Sequence, residues 1–424
     1  METLFSIAIA LAAGLFMSRF AKPFKLPAVT GYLVAGILIG PYCLGRLGIP
    51  GLGFVSAESV ASLKIISEVA LGFIAFAIGN EFRLAQLKTT GKQATVVAIV
   101  QALAATILVD VALLGLHFIL GEEKLPLAVV ITLGAVATAT APAATLMVVR
   151  QYKAKGKLTS ILLPVVALDD AVGLIVFAVS FGIAKALVSG TVDMVSIVVE
   201  PLLEIVMSLL LGFIVGLLFT LAEKFFESNS KRLSLSITFV ILTVAISMMK
   251  FEVGGVTIGF SSLLVCMMLG SVFCNICDFS EEIMQKTDKW TAPLFVLFFV
   301  LSGAELELGA FTDLAVVGIG VLYIISRSLG KYLGAYGSCH LMKCEPQVSR
   351  YLGITLLPQA GVALGMSLTA QTYLGAEGQL VRNIALFAVM IYELVGPLLT
   401  KIALTRAGEI SPKAEKEQTK STAS

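Results

Sequence analysis

The sequence is poor in charge and in the residue types that build the common soluble active sites. Only 14% of its 424 residues are charged, whereas soluble domains carry about 25%. Two histidines are too few for a histidine-built metal site, and six irregularly spaced cysteines make no disulfide framework. The 30 Lys and Arg residues balance 28 Asp and Glu residues, so no basic excess would attract nucleic acid. We therefore expect no cofactor and no nucleic-acid partner.

Long apolar runs dominate the chain instead. Apolar residues make up 58% of it and the mean hydropathy is +0.96, which indicates a polytopic membrane protein. The runs are too long for the alternating ~10-residue strands of a membrane barrel. The first run lacks a positive leading segment and a cleavage site, so we interpret it as a membrane span rather than a secretion signal. Thirteen helical spans are predicted, at about 3–18, 26–45, 60–80, 93–118, 125–149, 158–184, 197–222, 233–249, 253–273, 290–308, 314–341, 351–374 and 383–400.

Loop charges predict the orientation of these spans. With the N-terminus outside and the C-terminus in the cytoplasm, most of the 30 basic residues lie on the inner side, as the positive-inside rule requires. We therefore expect an all-α transmembrane domain at 1–405. The segment 406–424 is predicted to be a disordered cytoplasmic tail, because it is polar and has no hydrophobic pattern.

The sixth span carries two acids near its midpoint. Asp169 and Asp170 are the only charges between Lys157 and Lys185. Each charge near the bilayer centre costs ~2.5–3.5 kcal/mol on insertion scales and is kept mainly where it has a function. Neighbours on a helix point about 100° apart, so one aspartate can face a water-filled cavity while the other meets a partner helix.

Two cations lie in the eleventh span. Arg327 and Lys331 are four residues apart and share a helix face. They need carboxylate partners from other helices, and Asp169 and Asp170 are the first candidates. The further possible partners of Arg327 are Glu68, Glu81 and Glu393.

Two spans carry helix-breaking residues. Pro142 follows Thr138 and Thr140 in the fifth span, and Pro358 precedes Gly361 in the twelfth. A proline inside a helix leaves carbonyls unpaired, and a cation or a threonine can use them. One interrupted helix in each half predicts inverted repeats, spans 4–6 and 11–13, with a binding site at the midplane.

Other classes of membrane protein fit these charges less well. An intramembrane aspartyl protease needs two acids opposed at close range, which an adjacent pair on one helix cannot provide. A crossed-helix symporter of organic anions leaves the buried cations beside the aspartates without a purpose. A passive channel is a third alternative, and a measurement of flux distinguishes it, because only a carrier shows saturable, proton-coupled flux.

Several segments carry a resemblance to a known family. They include LPAVTGYLVAGILIGP in the second span, ISEVALGFIAFAIGNEF in the third, ALDDA in the sixth and SRSLGKYLGA in the eleventh; PLFVLFFVLSGAELEL and MIYELVGPLLTKIAL add to them. With these motifs the chain resembles bacterial monovalent cation:proton antiporters, the Kef/Nap-like branch of the sodium/hydrogen exchanger superfamily. The resemblance implies a homodimer with a dimerisation domain and a six-helix core that holds two crossed, discontinuous helices.

The resemblance also implies roles for the charged residues. Asp170 would bind the cation and the proton in turn, Asp169 would pair with Lys331, and Thr140 would lie near the break of the first crossed helix. Together with Thr138 from the same break, Asp169, Asp170 and Thr140 are the residues that we expect at the ion and proton site. The break reads Thr140-Ala141-Pro142 here, where part of the superfamily has Thr-Asp-Pro, so the site has one carboxylate fewer.

The resemblance implies a transporter, not an enzyme, that exchanges Na⁺ or Li⁺ for H⁺ in the bacterial inner membrane. No nucleotide-binding regulatory domain is expected, which favours sodium over potassium. The sequence leaves open K⁺ as the ion, the stoichiometry, and whether Arg327 or Lys331 pairs with Asp169.

Overall fold

The computed structural model is almost entirely helical. It describes residues 2–24, 26–49, 52–80, 82–189, 200–226, 228–249, 251–253, 256–306 and 314–410. The first eight helices are α1 (Glu2–Ala21), α2 (Ala28–Ile39), α3 (Ala57–Ala61), α4 (Lys64–Gly79), α5 (Leu84–Leu120), α6 (Leu127–Val136), α7 (Pro142–Gln151) and α8 (Lys157–Ser189). The others are α9 (Glu200–Glu223), α10 (Asn229–Ser247), α11 (Ser262–Ile276), α12 (Ser280–Ala304), α13 (Leu314–Leu341), α14 (Pro346–Thr355), α15 (Gly361–Leu374) and α16 (Ala376–Arg406).

Every predicted span coincides with one helix or with a broken pair of helices. Eight helices in the described part of the chain are long and apolar enough to cross a membrane. The other predicted spans fall on α4, α11 and α12 and on the pairs α6–α7 and α14–α15, which are shorter, interrupted or richer in charge. The chain is thus an all-helical polytopic membrane protein, while the number of thirteen crossings stays a prediction.

Several predicted boundaries are wrong: α5 starts at Leu84 rather than at 93 and α16 at Ala376 rather than at 383, and the ninth and tenth spans also differ. The ninth span was expected at 253–273, but two short antiparallel strands, β1 (Phe251–Val253) and β2 (Val256–Ile258), precede a helix that starts only at Ser262. The tenth was expected from 290, whereas α12 begins ten residues earlier. A polar first half, with Glu281 and Glu282 in its first turn, hid this start, because acids there stabilise a helix without adding hydrophobicity.

The chain divides into two compact units, and the first comprises Met1–Thr89 and Glu200–Glu305. Glycines bring its helices together at two places. A side chain at Gly36 or Gly303 would collide with the backbone of the facing helix in the α2–α12 pair. A side chain at Gly79 or Gly270 would likewise collide with the backbone of the facing helix in the α4–α11 pair. Close backbone approach at small residues is a common way for membrane helices to associate.

The second unit comprises Thr90–Val199 and Leu306–Ser424. Its helices follow the same pattern twice: a long helix, a broken helix and a long helix, formed by α5, α6–α7 and α8 and again by α13, α14–α15 and α16. These are the predicted spans 4–6 and 11–13, with a break in the middle member of each set. The inverted relation of the two sets stays a prediction.

The structured region extends past the predicted end of the membrane domain. Residues 406–410 were expected in a disordered tail, yet Ala407 and Ile410 are buried. They join an apolar cluster with Leu158 and Leu404. The part of the predicted tail at 411–424 lies outside the described residues.

Candidate functional site

The two helix breaks of the second unit lie against each other. Pro142 opens α7 after the first break, and Pro358 lies in the second break. The Ala141 amide donates a hydrogen bond of 2.8 Å to the Pro358 carbonyl. The Gln359 side-chain amide donates to the Val136 carbonyl at 2.9 Å. The discontinuous helices are therefore joined where each lacks its own backbone hydrogen bonds.

Arg327 on α13 satisfies the carbonyls that the breaks expose. Its Nε donates to Ala137 O at 3.0 Å, Nη1 to Leu357 O at 2.8 Å and Nη2 to Ala139 O at 2.5 Å. The guanidinium lies 4.5 Å from the ring centre of Tyr392. Because α6 and α14 end beside it, the cation also faces the negative ends of two helix dipoles.

Lys331 lies one turn further along α13 and reaches the same region. Its ammonium group donates to Thr138 O at 2.6 Å, Thr140 Oγ1 at 2.9 Å and Asp169 Oδ2 at 2.9 Å. The side chains of Lys331 and Asp169 are fully buried. Lys331, rather than Arg327, is thus the cationic partner of Asp169.

Asp169 is surrounded by donors. Besides Lys331, the Thr140 hydroxyl donates to Oδ2 at 2.5 Å, and the Gln101 amide of α5 donates to Oδ1. A buried carboxylate needs a cation and further hydrogen bonds to offset its desolvation, and Asp169 has both. Both carboxyl oxygens of this side chain therefore have donors.

Asp170 has the opposite surroundings. It is 3% exposed, and among the described residues neither carboxyl oxygen has a hydrogen-bond partner. The roughly 100° turn between helical neighbours points it away from the donors around Asp169. Of the two adjacent acids, one is saturated with donors and the other remains able to bind.

Thr138 contributes through both its backbone and its hydroxyl. The carbonyl accepts the bond from Lys331, while the hydroxyl donates to Ala135 O at 2.7 Å. A β-carbon at Gly173 would lie 3.0 Å from this hydroxyl. Gly173 is one turn beyond Asp169 on α8, so Thr138 lies beside the aspartate-bearing face of that helix.

Glycines on α13 explain why it approaches α5 so closely. A β-carbon at Gly330 would meet the backbone of Ala105, and one at Gly334 would meet the backbone of Gln101. Small residues at these two positions allow Lys331 and Gln101 to reach one carboxylate from two helices.

The expected pairing of Arg327 with a glutamate stays a prediction. The contacts of Arg327 in the described chain are the three carbonyls and the Tyr392 ring. Glu393 is buried on α16 of the same unit, and Glu68 lies half-buried on α4 of the first unit. Glu81 lies outside the described residues. Helix-end carbonyls therefore bind the guanidinium, which the sequence reasoning did not anticipate.

Two polar residues of the site were missed by the sequence reasoning. Gln101 binds Asp169, and Gln359 bridges Val136 O and the Tyr323 hydroxyl, each at 2.9 Å. Both glutamines are fully buried. The available signal was an amide side chain within a long apolar span, since buried polar groups require partners.

Comparison with known proteins agrees with this architecture. Residues 7–406 match the family described as "Sodium/hydrogen exchanger, transmembrane". The Na(+)/H(+) antiporter NhaS4 of Synechocystis is 25% identical over 414 residues, which are 93% of this chain and 95% of that protein. Cation/H(+) antiporter 19 of Arabidopsis thaliana is 24% identical over 80% of this chain, and the match spans only 42% of its length.

A solved structure shares the fold. The sodium proton antiporter MjNhaP1 of Methanocaldococcus jannaschii superimposes with a TM-score of 0.67 at 16% identity, over 95% of this chain and 94% of that one. The family expected from the motifs is confirmed, because the family match covers nearly the whole chain. The chain belongs to the sodium/hydrogen exchanger family of transmembrane cation/proton antiporters, and it is a transporter, not an enzyme.

Proposed function

We propose that the protein exchanges Na⁺ or Li⁺ for H⁺ by alternating access, with Asp170 as the carboxyl group that binds the two ions in turn. The observation that carries this proposal is the contrast between the two adjacent acids. Asp169 has three donors, whereas neither oxygen of the buried Asp170 has a hydrogen-bond partner among the described residues.

The burial of Asp170 explains why a proton and a cation compete for it. A buried carboxylate without a partner is unstable by several kcal/mol, and either a proton or a monovalent cation removes that penalty. One negative charge cannot accept both at full strength, so the two ions compete. A carrier that changes its facing direction only when this charge is neutralised exchanges one ion for the other.

Lys331 sets the charge carried in each cycle. In our proposal it neutralises Asp169 while no cation is bound, and cation binding weakens that pair and lets Lys331 lose its proton. Two protons then move for each cation, and transport is electrogenic. A Lys331 that stays charged throughout gives one proton fewer and no net charge movement.

The alanine at position 141 of the first break limits which groups can coordinate the cation. Ala141 stands where part of the superfamily has an acid, so Asp170 is the one carboxylate we assign to the cation. An oxygen that would add to it is the Thr138 hydroxyl, which lies beside α8 at Gly173, three residues after Asp170.

We also propose the topology and assembly that the sequence predicts. The thirteen spans would cross a bacterial inner membrane with the N-terminus outside and the C-terminus in the cytoplasm. The charge distribution of the loops supports this orientation. The second unit would be the six-helix ion-carrying core, and the first would hold the dimerisation surface of a homodimer.

Proteoliposomes with an internal acid load test the proposal. Na⁺, Li⁺ or K⁺ is added outside while one dye reports pH and another reports voltage. We expect Na⁺ and Li⁺ to collapse the pH gradient with a voltage signal, and Asp170→Asn to abolish both. Glu345→Gln is the control, since Glu345 is an exposed acid of the same unit, at the start of α14.

Each alternative outcome has a defined meaning. Exchange retained in Asp170→Asn overturns the assignment of that residue. A response to K⁺ alone moves the protein to potassium/proton exchange. A pH response without a voltage signal contradicts the proposed loss of the Lys331 proton.

A further inference from the structure

The helix that carries both aspartates begins without a capping side chain of its own. The Ser160 amide donates to the Gly156 carbonyl at 3.0 Å, so Gly156 is the residue that caps α8. Capping residues normally offer a side-chain oxygen to the second or third amide of the helix. Glycine offers none, which leaves the amides of Leu158 and Thr159 to find an acceptor elsewhere.

Glu409 supplies that acceptor from the far end of the sequence. Its carboxylate accepts from the Leu158 amide at 2.6 Å, from the Thr159 amide at 2.8 Å and from the Thr159 hydroxyl at 2.5 Å. A negative charge at this position also faces the positive end of the α8 dipole. The Glu409 side chain therefore caps the N-terminus of α8 in place of a local capping residue.

A rigid turn presents Glu409 to α8. After α16 ends, Gly408 takes a positive φ of 78°. The Gly408 amide donates to Thr405 O at 3.1 Å, and the Glu409 amide donates to Leu404 O at 3.0 Å. This pair of bonds is the Schellman motif that fixes a helix C-terminus. The Lys155 amide then binds Glu409 O at 3.2 Å, so the turn is held to α8 through both backbone and side chain.

Gly156 is glycine for a reason that involves Glu409. A β-carbon at position 156 would overlap the Glu409 carboxyl group. Position 156 therefore lacks a capping side chain because the Glu409 carboxylate occupies that space.

The start of α8 depends on this contact more than most helix ends do. Pro164 lies inside the helix and cannot donate to the carbonyl four residues earlier, so the first turns are weakly tied to the rest. Asp169 follows Leu158 by about 17 Å along the axis, at ~1.5 Å per residue. A shift of the first turns reaches the aspartates through the helix that carries them.

We propose that Glu409 is a positioning residue for ion exchange, which holds α8 at the height where Asp170 binds its ions. This inference rests on the proposed role of Asp170. Removal of the Glu409 carboxylate releases the start of α8, lets the helix move relative to the two breaks and weakens cation binding at Asp170.

Four variants separate positioning from simple stability. Glu409→Ala removes the cap, and Glu409→Gln keeps one acceptor oxygen without the charge. Glu345→Ala is the control, because Glu345 forms an exposed ion pair with Lys157 in the same first turn and gives nothing to the amides. In Glu409→Ala/Gly156→Asp, the space left by the glutamate admits a local capping aspartate.

Hydrogen exchange by mass spectrometry and the transport assay are read together. In Glu409→Ala we expect the amides of the first turn of α8 to exchange about tenfold faster, as for the loss of a strong cap. We expect the half-saturating Na⁺ concentration to rise several-fold and the pH profile to shift. Glu409→Gln should fall between, Glu345→Ala should match the wild type, and the double variant should recover towards it.

Two results overturn the proposal. In the first, the exchange of the α8 amides is unchanged in Glu409→Ala. In the second, hydrogen exchange of these amides becomes faster, while the half-saturating Na⁺ concentration and the pH profile of transport stay at wild-type values. The contact then stabilises the helix without affecting ion exchange.

Failure of the proposed function is recognised separately. In that case the wild-type protein itself shows no cation-driven proton movement. Hydrogen exchange in the peptides that contain Asp169 and Asp170 then decides whether Glu409 controls that part of α8. If Glu409→Ala leaves the hydrogen exchange of these peptides unchanged, the positioning role is overturned.

Discussion

Replacing Arg327 by lysine should damage the protein although the charge is kept. Three different guanidinium nitrogens serve the carbonyls of Ala137, Leu357 and Ala139 at 2.5–3.0 Å. A lysine carries its three N–H donors on one nitrogen and has no planar fork, so it cannot reach all three carbonyls that the separate guanidinium nitrogens contact, and it leaves one or two buried acceptors unpaired. Each unpaired buried acceptor costs about 1–3 kcal/mol, which gives a loss of about 1–6 kcal/mol.

Thermal unfolding in detergent, followed by size-exclusion chromatography after heating, measures this loss. Arg350→Lys is the matched control, because Arg350 is exposed on α14 of the same unit and its guanidinium lies 5.9 Å from the Tyr351 ring centre. We expect Arg327→Lys to lower the midpoint by several degrees and to reduce exchange, while Arg350→Lys changes neither. An Arg327→Lys protein as stable as Arg350→Lys would refute the view that the guanidinium joins the two breaks.

Three further substitutions test other contacts. Thr140→Val removes the hydroxyl that bridges Lys331 and Asp169 and should lower both stability and ion exchange in the same two assays. Thr132→Val is its control, since that hydroxyl donates to Ala128 O within α6, and equal effects of the two substitutions would contradict the bridging role. Gln101→Leu leaves Asp169 with two donors instead of three and should alter the pH profile of exchange more than the amount of folded protein; an unchanged profile would remove Gln101 from the site. Gly36→Leu places a side chain against the backbone of α12 and should reduce the yield of folded protein in a size-exclusion profile, and a wild-type profile would show that the helices can separate there.

The sequence narrowed the pairing of charges because charges in apolar spans are few. Asp169 had to find a cationic partner within the membrane, and Arg327 and Lys331 both stayed open until the structure paired it with Lys331. The breaks at Pro142 and Pro358 were also visible, since proline removes a backbone donor wherever it lies.

The partners of Arg327 could not be predicted in this way. Its acceptors are backbone carbonyls from two segments more than 200 residues apart, and carbonyls leave no mark in a sequence. Their availability depends on how the two breaks meet, which is a property of tertiary packing. Sequence reasoning therefore considered only carboxylates as partners of Arg327 and did not anticipate the helix-end carbonyls that bind it.

Polar segments outside the apolar pattern were the other source of error. Glu409 lies in a stretch without hydrophobic periodicity, so its contact with α8 across the sequence gave no local signal. The predicted ninth span, which began at 253, included the end of β1 and all of β2 because these residues are mostly apolar. In both cases the mistake came from reading composition where a specific backbone contact decides the structure.

Competition between cation and proton at Asp170 is the central claim, and binding of Na⁺ to the purified protein tests it most directly. Isothermal titration in detergent is carried out at several pH values, in buffers of different ionisation enthalpy that count the released protons. The account predicts Na⁺ affinity that falls as the pH falls, proton release on binding, and no binding in Asp170→Asn. Binding that is independent of pH, or that persists in Asp170→Asn, would contradict it.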